Sequence, residues 1–404
     1  MSNNIYKKNT KNKTYKKSHK FNKSIKNKTC KNINYIPSVY KDITATISIN
    51  DIKHNLDFLK KKTGTDIMPV LKADAYGHGL IEMAKILRKL RVTYIGVATL
   101  GEAILLRKSG DKGRILSWLY DIDGQELKDG IHMNLDIAIF DEKHIPKIEK
   151  IAPSGKKLKI TMFIDTGINR AGIPYDKALQ CFKYVAKCDK FEIVGLMSHL
   201  VCSEIINSPI VNEQLRKFRA LRAELAEIGI NPPLVHIANT GGCLNYEVSD
   251  FTLSRPGCGI YGLNPLDKID KKLKLIMTVK SYIIQLKDVG KGEGIGYNWT
   301  YITPKKLRVA VLPIGYADII PRSSSNKLFV YINGTKRKVL GTISMDQIIV
   351  EAKKKDKIND DVIIFGNGRN CPQTIFEVAK LGYAFPKEIL CHTGYRINRS
   401  YVYK

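Results

Sequence analysis

The chain has 404 residues, 44% of them hydrophobic and 26% charged, which fits a globular protein and excludes a disordered or fibrous one. Lys and Arg outnumber Asp and Glu by 67 to 38, but Met1–Lys31, with eleven Lys and no acid, supplies +11 of the +29 net charge. No apolar run reaches the ~18 residues of a membrane helix, so an integral membrane protein is not expected.

Residues 1–38 lack the apolar core of a secretory signal and read as a basic, disordered tail. Short apolar runs then follow at Met68–Lys72, Thr93–Val97, Arg114–Leu119, Leu135–Phe140, Leu158–Ile164, Ile193–Ser198, Leu234–Ala238 and Gly259–Leu263. They are continuous rather than alternating, as in strands buried on both faces of a parallel sheet. Stretches of helical period separate them. Leu80, Met83, Leu87 and Leu90 share one helix face, and Val211, Leu215, Phe218, Leu225 and Ile228 share another, stopped by Gly229. Eight such strands with intervening helices predict an α/β (β/α)8 barrel over residues 39–274. A doubly wound sheet is the alternative, but no GxGxxG follows the first strand.

Beyond residue 274 the texture changes. Lys274–Leu286, Leu307–Leu312, Leu328–Ile332, Lys338–Ile343 and Asp361–Phe365 read as strands, with a hairpin turn at Asn333-Gly334. Only Pro372–Leu381 looks helical. A second, mostly antiparallel β domain is predicted over 275–404. The eight cysteines form no CxxC pair, which fits reduced thiols in a cytoplasmic setting. The eight histidines show no HExxH spacing, so no metal is expected.

Barrel enzymes work at the C-terminal ends of their strands. Lys72 ends the first apolar run, where a desolvated ammonium is costly unless paired or used. A lysine snorkelling at the rim is the plainer reading. Tyr76, Gly77 and Gly79 favour a ligand site, because the glycines allow close backbone approach.

Lys72–Gly79 resembles the cofactor-lysine motif of the alanine racemase family. Other stretches resemble that family's motifs in the same order. They are Asp165-Thr166-Gly167-Ile168-Asn169-Arg170, Ser198-His199-Leu200, His236-Ile237-Ala238-Asn239-Thr240 and Arg255-Pro256-Gly257 with Tyr261-Gly262-Leu263. Gly296-Tyr297, Ile314-Gly315-Tyr316-Ala317-Asp318 and Gly341-Thr342-Ile343-Ser344-Met345-Asp346-Gln347 complete the series.

The resemblance spans roughly residues 40–402. It implies a pyridoxal 5'-phosphate (PLP) enzyme that interconverts L- and D-alanine, supplying D-alanine for peptidoglycan. Inversion needs a proton acceptor on one face of the substrate and a donor on the other. The resemblance implies Lys72 for the first face and for covalent attachment of the cofactor, and Tyr297 for the second. A free phenol titrates near ~10, so a tyrosine base needs helpers, for which His199 and Arg170 are candidates.

By resemblance Arg255 meets the cofactor's ring nitrogen, where a permanent charge disfavours protonation. Read alone, it could instead pair with Asp250. Tyr76, Thr240, Asn239 and the N–H groups of Gly257 and Cys258 are implied as phosphate partners. Arg170, Tyr316, Met345 and Asp346 are implied for the substrate. In the family Tyr297, Tyr316, Met345 and Asp346 come from a partner subunit, so a homodimer with shared sites is expected. No nucleic acid or membrane partner is expected. Racemisation of another small amino acid such as serine, and decarboxylation on a barrel, are the competing readings.

Two positions depart from the family pattern. Phe163 stands where many members carry a carbamylated lysine that orients the arginine of the DTGxxR segment. Lys387 stands where many carry a phosphate-binding tyrosine.

Overall fold

Eight parallel strand segments form a closed ring: Asp66–Ile67, Tyr94–Thr99, Arg114–Leu119, Asp136–Ile139, Leu158–Asp165, Phe191–Met197, Leu234–His236 and Leu253–Ser254. The computed structural model describes residues 42–266, 272–369 and 371–403, and the basic tail expected at 1–38 lies outside the described residues. Continuous ladders join the second strand to the seventh. The last strand pairs with the first. A bridge between Val70 and Gly96 and the bonds Thr252 N–H to Val235 O and Arg255 N–H to Ala238 O complete the closure. Met68, Tyr94, Leu116, Ala138, Phe163, Met197 and Leu253 pack as a buried cluster inside the ring. Six of the eight strand segments thus contribute one inward side chain each, and Met68, just after the first strand, adds a seventh, as a filled barrel requires.

Two sequence expectations are corrected here. The first strand lies at Asp66–Ile67 rather than Met68–Lys72, and Lys72 opens a helical turn instead of ending a strand. Gly259–Leu263 is not a strand either, since Cys258–Tyr261 is a 3-10 turn. The eighth strand, Leu253–Ser254, is only two residues long, too short to register as an apolar run. The helices at Leu80–Lys89 and Pro209–Glu227 bury the faces expected of them, apart from Ile228, which follows the helix and is exposed. Gly229 adopts the left-handed conformation of a stop signal (φ +76°).

The second sheet has the strand order Thr335–Lys338, Phe329–Ile332, Asp361–Phe365, Met277–Tyr282, Thr44–Ser48, Asn398–Val402. Its pairings are antiparallel except the last, which is parallel. Thr44–Ser48, from the segment read as barrel, therefore lies between two strands of the later residues. A three-stranded antiparallel sheet of Gln285–Val289, Leu307–Leu312 and Ile348–Glu351 lies beside it. The run Lys274–Leu286 divides into two strands, and Lys338–Ile343 gives way after Lys338 to a bridge at Val339 and a loop. Asn333 and Gly334 both have positive φ, as the predicted hairpin turn needs. A further helix, Pro386–Cys391, joins the one at Ile375–Gly382.

Beneath this sheet Arg337 donates to both oxygens of Asp356 at 3.1 Å, with both side chains buried. The pair braces the strand that leads into the Gly341–Gln347 loop. Removing one partner of a buried pair costs about 3–5 kcal/mol. Asp356→Ala is expected to lower the unfolding free energy by that amount in urea titration. A loss under about 1 kcal/mol would show that the pair does not brace the sheet.

Candidate active site

A cavity of about 610 Å³ opens at the C-terminal ends of the barrel strands. It gathers Lys72, Tyr76, Arg170, His199, Asn239, Thr240, Arg255, Gly257 and Cys258, the residues singled out from the barrel sequence.

Lys72 precedes an unusual piece of backbone. Ala73, Asp74, Ala75 and Tyr76 all have φ between +52° and +55°, a single left-handed turn. Left-handed geometry costs each non-glycine residue roughly 1–2 kcal/mol. The turn survives because several of its amides are engaged. Ala75 N–H donates to Leu71 O, Gly77 N–H to Ala73 O and Gly79 N–H to Asp74 O. Glu102 accepts from Ala73 N–H at 2.6 Å. Gly77 is required, because a Cβ there would sit 1.8 Å from Leu390 O.

Behind the turn, buried His78 stacks on Tyr261, whose hydroxyl donates to Val70 O. Burial lowers the Lys72 pKa, and the positive charge of Arg170 lowers it further. The amine is therefore easier to deprotonate than a surface lysine.

Arg255 is 4% exposed and has no carboxylate partner among the described residues. Its guanidinium donates to His236 Nδ1 (2.7 Å), His236 O (2.9 Å), Ser198 O (2.6 Å) and His199 Nδ1 (3.3 Å). Asp250, the partner considered from sequence, binds Arg219 instead. Desolvation brings the Arg255 pKa down to about 10. Desolvation and the neighbouring Arg255 push His199 down to about 3 and His236 well below the usual value. Both imidazoles are thus neutral near pH 7, as their role of accepting from a cation demands.

One wall of the cavity presents hydroxyl groups with hydrogens left to donate. The Tyr76 hydroxyl lies where a Cβ on Gly257 would be, 2.3 Å away, so only glycine lets the phenol reach the backbone. That hydroxyl has no hydrogen-bond partner among the described residues. Thr240 Oγ1 accepts from Gly259 N–H at 3.1 Å, which leaves its own hydrogen to donate. Asn239 accepts from Gly242 N–H and from Ser203 Oγ, so it shapes the wall rather than facing inward with free donors.

Phe163 is one of the barrel-interior residues, packed against the apolar layer. With a phenyl there, Arg170 makes no hydrogen bond or ion pair with any described residue. Lys387, on the helix Pro386–Cys391, lines the cavity.

The remaining sequence candidates do not line this cavity. Tyr297, Tyr316 and Met345 are 67%, 40% and 52% exposed, on loops of the second sheet region. Those loops are joined to one another. Thr342 Oγ1 donates to Tyr297 O, Tyr316 N–H to Ser344 O and Ala317 N–H to Met345 O. Sequence reasoning gave no role to Glu102, Ser203 or His236. His236 was visible within its motif, but Glu102 and Ser203 act on residues 29 and 36 positions away and carry no local signal.

A closed barrel holding a desolvated lysine, two arginines without carboxylate partners among the described residues and a wall with free hydroxyl donors defines an enzyme of the lysine-bearing barrel class, suited to a small anionic cofactor and substrate. The family models for the alanine racemase N-terminal and C-terminal domains match residues 47–265 and 276–401. The chain is 32% identical over 366 residues to alanine racemase 2 of Caldanaerobacter subterraneus subsp. tengcongensis, covering 89% of this chain and 94% of that one. A solved alanine racemase of Clostridium difficile superimposes with a TM-score of 0.83 at 31% identity, covering 90% of this chain and 96% of that one. That of Bartonella henselae, described with covalently bound pyridoxal phosphate, gives 0.78 at 28% identity, covering 90% and 100%. The chain belongs to the alanine racemase family and is an isomerase.

The neutral histidines set an acid limit. Unfolded imidazoles take up protons near ~6.5, whereas folded His78 and His199 do so only at about 4 and about 3. Between pH 6.5 and 5 the unfolded chain binds more protons, so stability rises with pH there and is lost on acidification. In cofactor-free protein, urea midpoints are expected to fall through this window at constant m-value. A flat profile would contradict the neutral assignment.

Proposed function

We propose that this racemase acts on alanine with pyridoxal phosphate held by Lys72, in a homodimer whose two sites each combine residues of both subunits. The observation that carries this reading is a lysine of lowered pKa sharing a cavity with a buried arginine that has no carboxylate partner among the described residues. The chemistry of the donors fits the cofactor. An amine suits its aldehyde, a permanent cation its ring nitrogen, and a free phenol with a free hydroxyl its phosphate. When bound, the cofactor supplies the electron sink that makes an α-hydrogen removable.

The chain's own residues do the rest. Lys72 takes or returns the proton on one face of the substrate, helped by its lowered pKa. Tyr297 serves the opposite face. Arg255, held in orientation by His236, His199 and Ser198, keeps a positive charge where a carboxylate would otherwise stabilise a protonated ring nitrogen. Tyr76, Thr240 and the N–H groups of Gly257 and Cys258 receive the phosphate. Arg170, without a partner among the described residues, receives the substrate carboxylate together with the loop at Met345 and Asp346, with Tyr316 at the entrance.

The dimer reading is supported by the separation of the two residue sets and by the exposure of Tyr297, Trp299 and Met345. An apolar surface of this kind, carrying residues the cavity lacks, suits contact with a second copy. The resemblance supports D-alanine for peptidoglycan as the product's use. Seven free cysteines among the described residues support a reducing, cytoplasmic setting.

Tyr297→Phe provides the test. The variant is expected to bind cofactor and alanine, while racemisation falls by about 10²–10⁴-fold. In deuterated water it should exchange the α-hydrogen of one enantiomer far faster than that of the other, because only the Lys72 face keeps its base. Equal loss for both enantiomers, or surviving racemisation, would overturn the two-base assignment.

A further inference from the structure

The segment Thr393–Arg399, near the end of the chain, touches both sets of site residues. Arg399 Nε donates to Gly77 O at 2.9 Å, and its terminal nitrogen donates to Asp74 Oδ2 at 3.0 Å and Thr393 O at 3.2 Å. Asp74 also accepts from Leu80 N–H at 2.7 Å, and the Tyr401 hydroxyl donates to His78 O at 2.7 Å. The left-handed turn after Lys72 is thereby fastened at its middle and at its end. The packing is tight, since a Cβ on Gly79 would lie 2.3 Å from the Tyr401 hydroxyl.

Three residues earlier, Arg396 does the same for the other loops. Its Nε donates to Asp318 Oδ1 at 2.9 Å, and its terminal nitrogen donates to Asp346 Oδ1 at 2.6 Å. Asp318 is fully buried, and its second oxygen accepts from Gly315 N–H. Arg396 therefore ties the turn bearing Tyr316 to the loop bearing Met345 and Asp346.

We propose that Arg399 and Arg396 are positioning residues, Arg399 aiming Lys72 and Arg396 aiming the Tyr316 and Asp346 loops. The proposal rests on the reading of these two groups as parts of one kind of site. Neither guanidinium lines the cavity, so each acts through what it holds. A planar fork grips two acceptors at fixed angles and keeps its charge at every working pH, which an ammonium on a flexible stem does not match. A left-handed run of non-glycine residues persists only when its surroundings over-determine it. Without Arg399 the turn loses the grip on both Asp74 and Gly77, and the Lys72 amine drifts from its line of approach.

The two arginines should fail in opposite ways, and holoenzyme variants test this. In Arg399→Gln, backbone hydrogen exchange at Ala75, Gly77 and Gly79 is expected to rise roughly tenfold, with or without cofactor. In the same variant kcat should fall about 10²-fold, the cost of ångström-scale misplacement, with KM for alanine nearly unchanged. Arg399→Lys should lie between wild type and Arg399→Gln.

Arg396→Gln should raise KM instead. Its faster exchange should appear at Tyr316 and Ala317 and not at residues 75–79. If Arg399→Gln does not fold, Asp74→Asn removes the same ion pair and must show the same kcat and exchange signature. Faster exchange at the turn with unchanged kcat would overturn the proposal. So would equal losses in kcat and KM for both arginines with a matching drop in melting temperature, the mark of a merely structural role. Failure of the wild-type enzyme to racemise alanine would instead sink the functional reading, and the exchange measurements would still judge the clamp.

Discussion

A guanidinium buried with no counter-ion among the described residues is the constraint around which this site is arranged. Arg255 can be desolvated only because neutral acceptors surround it, two carbonyl oxygens and two imidazole nitrogens. Those acceptors come from the ends of two neighbouring strands, at Ser198-His199 and His236, so the barrel rim must be aligned to within hydrogen-bond tolerance. Desolvation keeps the imidazoles uncharged, and the same arginine adds to it, because a second cation beside it would be costly. The lining of the cavity carries Lys72, Arg170, Arg255 and Lys387 against one carboxylate, Glu204. Burial and the neighbouring Arg170 depress the Lys72 pKa, the cationic surplus attracts anions, and both effects suit a phosphate-bearing cofactor and an amino-acid carboxylate.

The lysine reaches this environment on strained backbone. Four successive left-handed residues reverse the chain within one turn and deliver Tyr76 to the Gly257 backbone while Lys72 enters the cavity. The strain is held from three directions: Glu102 after the second barrel strand, the backbone at Leu390, and the final strand of the second sheet. Barrel and sheet are therefore interlocked where the chemistry is expected, and Thr44–Ser48 ties the start of the barrel into that sheet.

Much of this was legible in the sequence, for identifiable reasons. Barrel strands buried on both faces leave continuous apolar runs, and six of the eight expected runs overlap strands of the ring. Gly259–Leu263 misled because a buried 3-10 turn is as apolar as a strand. Leu253–Ser254 was missed because two residues make no pattern. Ile348–Glu351 and Asn398–Val402 escaped notice because the first is a short strand beside a functional loop and the second is polar, stabilised by a partner strand some 350 residues away. Lys72, Arg255 and Tyr76 could be read from residue type and motif. Arg399 could not, since its partner Asp74 lies 325 positions away. The substitution of Phe163 was visible, but its consequence, an Arg170 with no partner among the described residues, required the packed barrel interior.

The central claim is that one chain carries two incomplete halves of a site. Mixing Lys72→Ala subunits with Tyr297→Phe subunits tests it most directly. Each parent should be nearly inactive, whereas a heterodimer should contain one site with both intact residues. Random mixing at equal amounts is then expected to restore roughly a quarter of wild-type activity per site, given statistical pairing of closed two-fold dimers. Heterodimers confirmed by mass yet without regained activity would contradict the account and assign both residues to sites built within a single chain.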